Sequence, residues 1–318
     1  GSGAGWDLGE GAIVLPDDAG VRFRVFAPGA ESVSVAGDFN DWDASANPLA
    51  RDDDDQYWST TVTEAAPGDS YKYVVNGSLW RKDPWSLEVE GSHDAANSVI
   101  VDLTDYEWQS NDFRTPRIEE VVIYQLHVKG FQYNHDGLAY EPGNVFNDLR
   151  ETKLDYLEEL GVNCIHVMPV TEFPGEDSWG YNPVFYNAME SSYGTARDFQ
   201  RLVDACHQRG IAVIVGTVQN HTDGGDNIHF WDFDGTADGG FGGNGYFYYD
   251  DERVRTLWGD SEPNWGHPRV RERFFENGRL LAELYRVDGF RMDAVGFVRG
   301  ESNDGNDWFG WQSEEGWQ

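Results

Sequence analysis

The sequence predicts an N-terminal all-β immunoglobulin-like sandwich followed by an α/β domain that contains the first half of a (β/α)8 barrel. Between residues 21 and 102, short runs alternate in hydrophobicity, whereas beyond residue 116 apolar runs alternate with helical periods. A polar residue follows each apolar run, and barrel proteins place their sites at the carboxyl ends of their strands. With 318 residues, of which 39% are hydrophobic, the chain can form two packed domains.

Residues 1–19 are predicted to form an N-terminal tail and residues 20–103 the sandwich. Clusters of Gly, Pro and Asp separate its candidate strands, which is typical of an all-β fold. These strands are predicted at 21–29, 32–37, 57–62 and 71–77. The polar stretch 104–116 predicts a linker, so the domain boundary falls near residue 115.

Residues 117–318 are predicted to form the partial barrel, with strands that are mostly apolar because parallel strands are covered on both faces. The four strands are predicted at 121–128, 162–170, 211–219 and 287–295. Helical periods lie between them, one ending at Gly161, one running from Thr195 to Gly210 and one from about residue 268 to 285. The third connection, 222–266, is too long for an ordinary loop and predicts an inserted lobe. Only 25 residues follow Asp293, so we expect a fragment or an unusual half-barrel.

The composition narrows the classes of partner. Lys and Arg number 23 against 57 Asp and Glu, which gives a net charge of −34. This charge repels nucleic acid and anionic membrane surfaces, so a neutral ligand remains possible. The same charge is consistent either with adaptation to high salt or with an acidic protein that its net charge keeps in solution. No apolar run is long enough to span a bilayer. Cys164 and Cys206 lie in apolar patterns that predict buried free thiols, and we therefore expect a reducing, cytoplasmic location.

Five segments of the second domain resemble the α-amylase family of glycoside hydrolases and transglycosylases, and the α-1,4-glucan branching enzymes most closely. They follow the family's order and spacing, at 122–131, 172–183, 190–215, 219–222 and 289–295. The first domain is similar to the family's N-terminal carbohydrate-binding module at 35–42, 71–84 and 95–102. The resemblance implies an enzyme that acts on glycogen, starch or maltooligosaccharides by double displacement, without a cofactor.

Two-carboxylate glycoside transfer needs one carboxylate to attack the anomeric carbon and a second group to protonate the leaving oxygen. Asp293, at the end of the fourth strand, is the candidate nucleophile. Arg291 lies two residues earlier, so it points to the same side of the strand, where its guanidinium can keep the carboxylate ionised and oriented. A structural Arg–Asp pair would show the same spacing; the motif match favours the catalytic interpretation.

The resemblance also implies residues that bind the glucose unit beside the nucleophile. His221 matches the family's first-subsite histidine, Tyr181 matches the ring on which that glucose stacks, and Trp179 and Asn220 belong to the same motifs. Loop packing is the alternative for Tyr181, and a structural role is the alternative for His221. Asn220 corresponds to a calcium ligand in some members, yet one amide is a weak ligand and branching-type relatives generally lack the ion. No metal is predicted.

In the first domain, Trp42 follows an Asn-Asp turn and Trp80 an Asn-Gly turn. Exposed rings at such turns can stack on glucose faces while Lys72 and Asn97 reach hydroxyl groups. Two alternatives remain open at this point. Both indoles can pack between the two sheets of the sandwich, or they can dock against the barrel.

Two departures from the family bear on activity. Gly216 stands where the family's third strand has Asp. The sequence has no counterpart of the family's acid/base Glu at the end of strand five or of its stabilising Asp after strand seven. We therefore expect the 318-residue chain alone to be inactive. A non-catalytic glucan-binding protein or degenerate barrel scaffold is the alternative from another class. Within the family, a debranching or trehalose-releasing hydrolase is the alternative.

Overall fold

The computed structural model describes residues 9–52, 56–90, 96–133, 140–223, 230, 232–236 and 246–299. In these ranges the chain forms an antiparallel β-sandwich followed by a four-stranded parallel sheet with helices packed on one face. The predicted fold class is therefore confirmed. Residues 1–8 of the predicted tail and residues 300–318 of the predicted barrel lie outside the described residues.

Ten strands of the described chain build the sandwich. They are β1 (Gly11–Val14), β2 (Val21–Phe26), β3 (Val33–Gly37), β4 (Asn47–Pro48), β5 (Ala50–Arg51), β6 (Tyr57–Val62), β7 (Ser70–Val75), β8 (Leu79–Arg81), β9 (Glu88–Glu90) and β10 (Asn97–Val99). One sheet has the order β1-β2-β6-β5, and the other has the order β4-β3-β7-β10-β9, with β8 paired to β7.

Strand β1 corrects the predicted boundary of the tail. It pairs along its whole length with β2, from Gly11 opposite Arg24 to Val14 opposite Val21. A turn in which Asp17 and Asp18 have positive φ joins the two strands. A run of four residues after a glycine-rich start is too short to show the alternation of a strand in the sequence. Pairing with β2 is what makes it a strand.

Alternation of side chains produces the core of the sandwich. In β2 the residues Val21, Phe23 and Val25 are buried, while the two arginines between them are partly exposed. Tyr71 and Tyr73 of β7 fill the same core from the facing sheet. Burying each large side chain contributes roughly 1.5–3 kcal/mol relative to exposure, so this alternation holds the two sheets together.

The parallel sheet has the order β11 (Ile123–Leu126), β12 (Cys164–Val167), β13 (Ala212–Thr217) and β16 (Gly289–Met292). A short hairpin, β14 (Arg255–Thr256) and β15 (Gly259–Asp260), precedes β16. The helices are α1 (Val128–Tyr133), α2 (Val145–Thr152), α3 (Leu154–Glu159), α4 (Ala196–Gln208), α5 (Pro268–Arg279), which continues as a π-helical turn at Leu280–Leu284, and α6 (Val295–Arg299).

Helix α4 begins and ends at the predicted signals. The Thr195 side chain accepts a hydrogen bond from the backbone N–H of Asp198, and the Asp198 carboxylate accepts from the backbone N–H of Thr195. This reciprocal cap satisfies N–H groups that a helix start leaves unpaired. Gly210, with φ of 72°, follows the helix end. The helical period that was predicted to end at Gly161 consists of two helices, α2 and α3, separated by the non-helical Lys153.

Residues that point from the sheet toward the helices form the second core, including Ile165, Val167, Val213 and Val215. Cys164 and Cys206 are buried and free, as predicted. In the part of the chain with described positions, no helix is long and apolar enough to cross a membrane.

The stretch predicted as a linker, 104–116, contains neither helix nor strand and is anchored on α4. The Asp204 carboxylate accepts hydrogen bonds from the backbone N–H groups of Gln109 and Ser110 and from the Tyr106 hydroxyl. The linker is therefore a fixed connection that lies against the barrel domain.

The sandwich also contacts the barrel domain through a buried carboxylate. Glu10, 1% exposed, accepts a hydrogen bond from the Tyr57 hydroxyl at 3.1 Å. Arg269 and Arg273 of α5 lie 3.6 and 3.5 Å from the same carboxylate. The Arg269 guanidinium covers the rings of Phe26 and Tyr57, with its carbon 4.3 and 4.0 Å from their centroids. Burial raises the pKa of Glu10, and the arginines oppose that shift.

A second contact joins β8 to the inserted lobe, which is described at 222–223, 230, 232–236 and 246–266. The Phe233 ring lies in the sandwich core, with its centroid 5.9 Å from that of Tyr73. Arg81 donates from Nε to the carbonyl oxygens of Asp232 and Phe233, both at 3.1 Å. Leu79, on the same side of β8 as Arg81, packs against that core.

Candidate active site

The predicted nucleophile lies at the carboxyl end of the last described strand. The backbone N–H of Asp293 donates to the Thr217 carbonyl at 2.9 Å, which ties the end of β16 to the end of β13. Arg291 donates from Nη1 to Oδ1 of Asp293. The Asp293 side chain is 16% exposed and that of Arg291 is 43% exposed. A paired carboxylate thus faces the edge of the sheet where barrel sites form.

Tyr181 is brought to this pair by a tight turn. The guanidinium carbon of Arg291 lies 5.5 Å from the Tyr181 ring centroid. Gly180 has φ of 82°, and a Cβ atom there would lie 2.3 Å from the carbonyl oxygen of Pro169, so the turn requires glycine. The preceding Trp179 is 72% exposed. The turn therefore presents two aromatic rings, one beside Arg291 and one toward solvent.

His221, after β13, belongs to the same cluster. Burial lowers the pKa of His221 to about 4, and the negative charge of Asp293 and a hydrogen bond with the Tyr181 backbone oppose the shift. The Asn220 amide donates to Nδ1 of His221 at 2.8 Å. The imidazole is therefore neutral near pH 7, with its proton on Nε2, because Nδ1 accepts from Asn220.

Sequence reasoning missed Trp258, which lies at the tip of the β14–β15 hairpin. Its ring stacks on His221 with centroids 4.6 Å apart and an interplanar angle of 19°, and 48% of the residue is exposed. The indole also meets the Phe297 ring of α6, with centroids 5.7 Å apart and an interplanar angle of 60°. The signal in the sequence that could have indicated it is a tryptophan between Thr256 and Gly259, at a spacing that a short hairpin turn can connect. Trp258 shields and orients His221.

Gly216 faces the same side of the sheet as Arg291, because the two residues pair in parallel register. A Cβ atom at this position would lie 3.0 Å from Cδ of Pro169 and 3.2 Å from its Cγ. Pro169 therefore occupies the space toward which a side chain at position 216 would point. At the position where the family's third strand has Asp, this chain thus has a glycine with a proline ring packed close to it.

Among residues with described positions, no group of three or more His, Cys, Asp or Glu is arranged to hold a metal ion. Asn220 is fully buried, and its Oδ1 has no hydrogen-bond partner among those residues. A single amide oxygen does not form a cation site.

On the sandwich, Trp42 and Trp80 lie beside each other outside the core, with ring centroids 6.3 Å apart and an interplanar angle of 36°. Trp80 is 44% exposed. The Trp42 indole donates to Oδ1 of Asp38 at 2.9 Å, and Oδ2 of Asp38 accepts from the Ser70 backbone at 2.8 Å. The two indoles form a surface that is anchored to the start of β7.

Lys72 and Asn97 lie on the same outer face of that sheet. Trp80 pairs with Val74, which shares its face with Lys72, and the β7–β10 register places Asn97 across from Lys72. Burial lowers the pKa of Lys72, and the negative charge of Glu90 opposes this shift. The Asn97 amide donates to Glu90 at 3.4 Å. The four predicted module residues therefore share one surface.

Comparison with known proteins identifies both domains. The model of the carbohydrate-binding module 48 (isoamylase N-terminal domain) matches residues 11–86, and the model of the α-amylase catalytic domain matches residues 148–256. A 1,4-alpha-glucan branching enzyme GlgB from Bacillus caldolyticus is 34% identical over 287 residues, which cover 87% of this chain and 41% of that protein.

A second protein of that name, from Halothermothrix orenii, is 32% identical over 87% of this chain and 43% of its own length. A third, from Bacillus subtilis, is 33% identical over 88% of this chain and 44% of its own length. A crystal structure from Salmonella typhimurium that is named an alpha amylase superposes with a TM-score of 0.75 and 27% identity, covering 91% of this chain and 44% of that one.

The chain spans less than half the length of these relatives, and the similarity runs through both of its domains. The chain belongs to the α-amylase family, with a carbohydrate-binding module 48 in front of its α-amylase catalytic domain.

Proposed function

We propose that the chain binds α-glucan and supplies the nucleophile of a retaining glycoside transfer, of the kind carried out by 1,4-α-glucan branching enzymes. The observation that carries the proposal is the cluster of Asp293, Arg291, Tyr181 and His221 at the carboxyl ends of β13 and β16. It combines a paired carboxylate, an aromatic face and a neutral hydrogen-bond donor, which are the groups that hold and attack a glucose unit.

In the proposed first step, an Asp293 carboxylate oxygen attacks C1 of a glucose unit and the C1–O4 bond breaks. An acid gives its proton to the departing O4 oxygen, and a covalent glucosyl ester remains on Asp293. In the second step a 6-hydroxyl of an acceptor glucan attacks C1, its proton returns to the same group, and Asp293 is released. Two inversions retain the configuration. The acid is assigned to no residue in the described ranges.

Arg291 aims the Asp293 carboxylate, because the guanidinium donates directly to Oδ1. The Tyr181 ring, beside that guanidinium, supplies an apolar face for the attacked glucose unit. In the proposed complex, the neutral His221 exchanges its hydrogen bond with the Tyr181 backbone for one to a hydroxyl of that unit. Trp179, exposed on the same turn, and the neighbouring Asn220 complete the proposed subsite.

The proposed role of the sandwich is to hold the glucan near the barrel. Trp42 and Trp80 present neighbouring rings for stacking, and Lys72 and Asn97 provide donors on the same face. Such a surface suits a neutral, hydroxyl-rich polymer, which a net charge of −34 does not repel.

Trapping with 5-fluoro-α-glucosyl fluoride tests the nucleophile. Fluoride leaves C1 with its electron pair and needs no proton, so the reaction requires only the carboxylate and the subsite. We expect the peptide that contains Asp293 to gain one fluoroglucosyl mass. Asp293→Asn should remove the label, and Asp251→Asn, which changes an exposed carboxylate of the lobe, should keep it. A label elsewhere that survives Asp293→Asn would refute the assignment.

A second candidate is a glucan-binding protein without catalysis. Gly216 favours it, because this glycine pairs in register with Arg291 at the position where the family has a carboxylate. Maltoheptaose binding that depends on Trp42 and Trp80, together with no trapping in folded protein, would select this candidate.

A further inference from the structure

The first barrel strand ends in a histidine to which the proposed function gives no role. His127 directly follows β11, so it lies at the same edge of the sheet as Asp293 and His221. Its Nδ1 accepts the backbone N–H of Gly130 at 2.9 Å, within the first turn of α1. A ring nitrogen that accepts carries no proton, so the neutral ring is protonated on Nε2.

The protonated nitrogen points to the loop that carries the proposed substrate residues. Nε2 of His127 lies 2.9 Å from the carbonyl oxygen of Ser178 and 3.0 Å from the Tyr193 hydroxyl. Burial, assisted by the positive charge of Lys129, lowers the pKa of His127, while the Ser178 carbonyl and Asp177 oppose the shift. The ring therefore remains a neutral donor to Ser178 near pH 7.

The contact at Ser178 is transmitted along the loop to Tyr181. The Ser178 hydroxyl accepts the backbone N–H of Gly180 at 3.0 Å and donates to Oδ1 of Asn182. Asn182 in turn donates to Asp223 at 3.4 Å. Ser178 thus fixes the residue before Tyr181 and the residue after it.

A side chain of the neighbouring helix α1 holds the preceding part of the same loop. Nζ of Lys129 donates to the carbonyl oxygen of Glu176 at 2.9 Å and to the Asp177 carboxylate at 2.6 Å. The ammonium also lies 3.8 Å from the centroid of the Tyr140 ring. Lys129 therefore holds residues 176 and 177, and His127 holds the next residue, Ser178, from which the bonds to Gly180 and Asn182 start.

We propose that His127 is a positioning residue that, through Ser178, sets where the Trp179–Tyr181 turn lies relative to Asp293. The inference rests on the proposed function in one respect, since it takes Tyr181 to be a ring that contacts glucan. His127 itself touches neither the glucan nor Asp293 in this scheme. Its effect is to keep the Tyr181 ring at the distance from the Asp293 carboxylate that leaves room for a glucose unit.

The test uses the full chain carrying Trp42→Ala and Trp80→Ala, so that the module does not contribute to binding. Amide hydrogen exchange of residues 175–182 and the dissociation constant for maltoheptaose are measured in this parent and in His127→Ala. We expect exchange of the loop to rise at least about tenfold and binding to weaken about fivefold, the size of one lost hydrogen bond. His127→Gln, whose amide can replace the Nε2 donor, should restore both.

His207→Gln is the matched control. His207 is a buried histidine of the same domain that bonds Asp288 at the opposite end of the strands. This variant should leave the exchange of residues 175–182 unchanged even where it lowers the melting temperature. Should His127→Ala not fold, His127→Asn provides the same comparison with His127→Gln, because its shorter amide does not reach Ser178.

Unchanged loop exchange in folded His127→Ala or His127→Asn, or an equal rise in His207→Gln, would overturn the positioning role. Maltoheptaose binding that is absent from the parent as well would count against the proposed function, and loop exchange, which needs no glucan, would still decide the role of His127.

Discussion

Gly216 lies beside Arg291 in parallel register between β13 and β16, with the Pro169 ring where a side chain of residue 216 would point. Gly216 brings no carboxylate to this guanidinium, which donates to the Asp293 carboxylate on its own strand. The charge balance of the proposed site thus differs from that of a family member with Asp at this position.

Substitution of Gly216 separates the steric part of this difference from the charge. Both Gly216→Ala and Gly216→Asp should destabilise the chain by about 1–3 kcal/mol, because Cβ would press on Pro169. Only Gly216→Asp should change the rate of trapping at Asp293, because only Asp adds a carboxylate near Arg291. Calorimetry and mass spectrometry give the two readouts. A Gly216→Ala variant with an unchanged melting temperature would show that the space at residue 216 is free.

Loss of Trp42 or Trp80 should weaken glucan binding by the sandwich. Each ring is an aromatic anchor worth about 1 kcal/mol or more, so each Ala variant should raise the dissociation constant for maltoheptaose about fivefold or more. Titration calorimetry in a Tyr181→Ala background isolates this surface from the barrel cluster. Tyr156→Ala, which removes an exposed ring on α3, is the control. Unaltered affinity in a folded double Trp variant would remove both rings from the site.

Glu172 should make stability fall as pH rises. Burial and the nearby Glu190 raise the pKa of this carboxyl well above the ordinary 4.5. Between pH 4.5 and the raised pKa the folded chain binds more protons than the unfolded chain, so the free energy of unfolding decreases with pH. Glu172→Gln removes this loss, and its stability relative to wild type should improve from pH 5 to pH 8 by about 1 kcal/mol or more.

Urea unfolding at several pH values measures the Glu172 effect. Glu176→Gln changes an exposed carboxylate of the neighbouring loop and should show no such trend. Parallel curves for wild type and Glu172→Gln would show that the buried carboxyl does not retain its proton.

Salt should stabilise the chain. A net charge of −34 makes the compact state repel itself, and ions shorten the range of that repulsion to about 3 Å at 1 M. We expect the melting temperature to rise between low and molar KCl. A flat or falling midpoint would contradict salt adaptation.

Local patterns predicted the elements whose causes are local. Helix α4 begins after the cap Thr195 and ends before the left-handed Gly210, and both signals lie in the sequence within a few residues of the helix ends. The spacing of Arg291 and Asp293 likewise placed both on one side of a strand, and the structure pairs them. Strand β1 was missed because its four residues become a strand only by pairing with β2.

Contacts between distant segments could not be predicted in this way. Trp258 stacks on His221 across the lobe, and His127 reaches Ser178 from another strand end. Neither partner has a period or a spacing that points to the other. Phe233 carries an ordinary aromatic signal, yet its ring enters a core that the sequence assigns to another domain.

That placement of Phe233 bears on how the sandwich can be transplanted. Trp80 points outward from β8, while Leu79 and Arg81, its neighbours on the strand, hold residues 232–236 on the other side. A graft cut at the domain boundary would carry the outward-facing indole of Trp80 to a new host, but it would leave behind the Phe233 ring, which fills the interior of the sandwich. Such a transplant would need the lobe peptide supplied with it, or a larger side chain near Tyr73 to fill the vacated space.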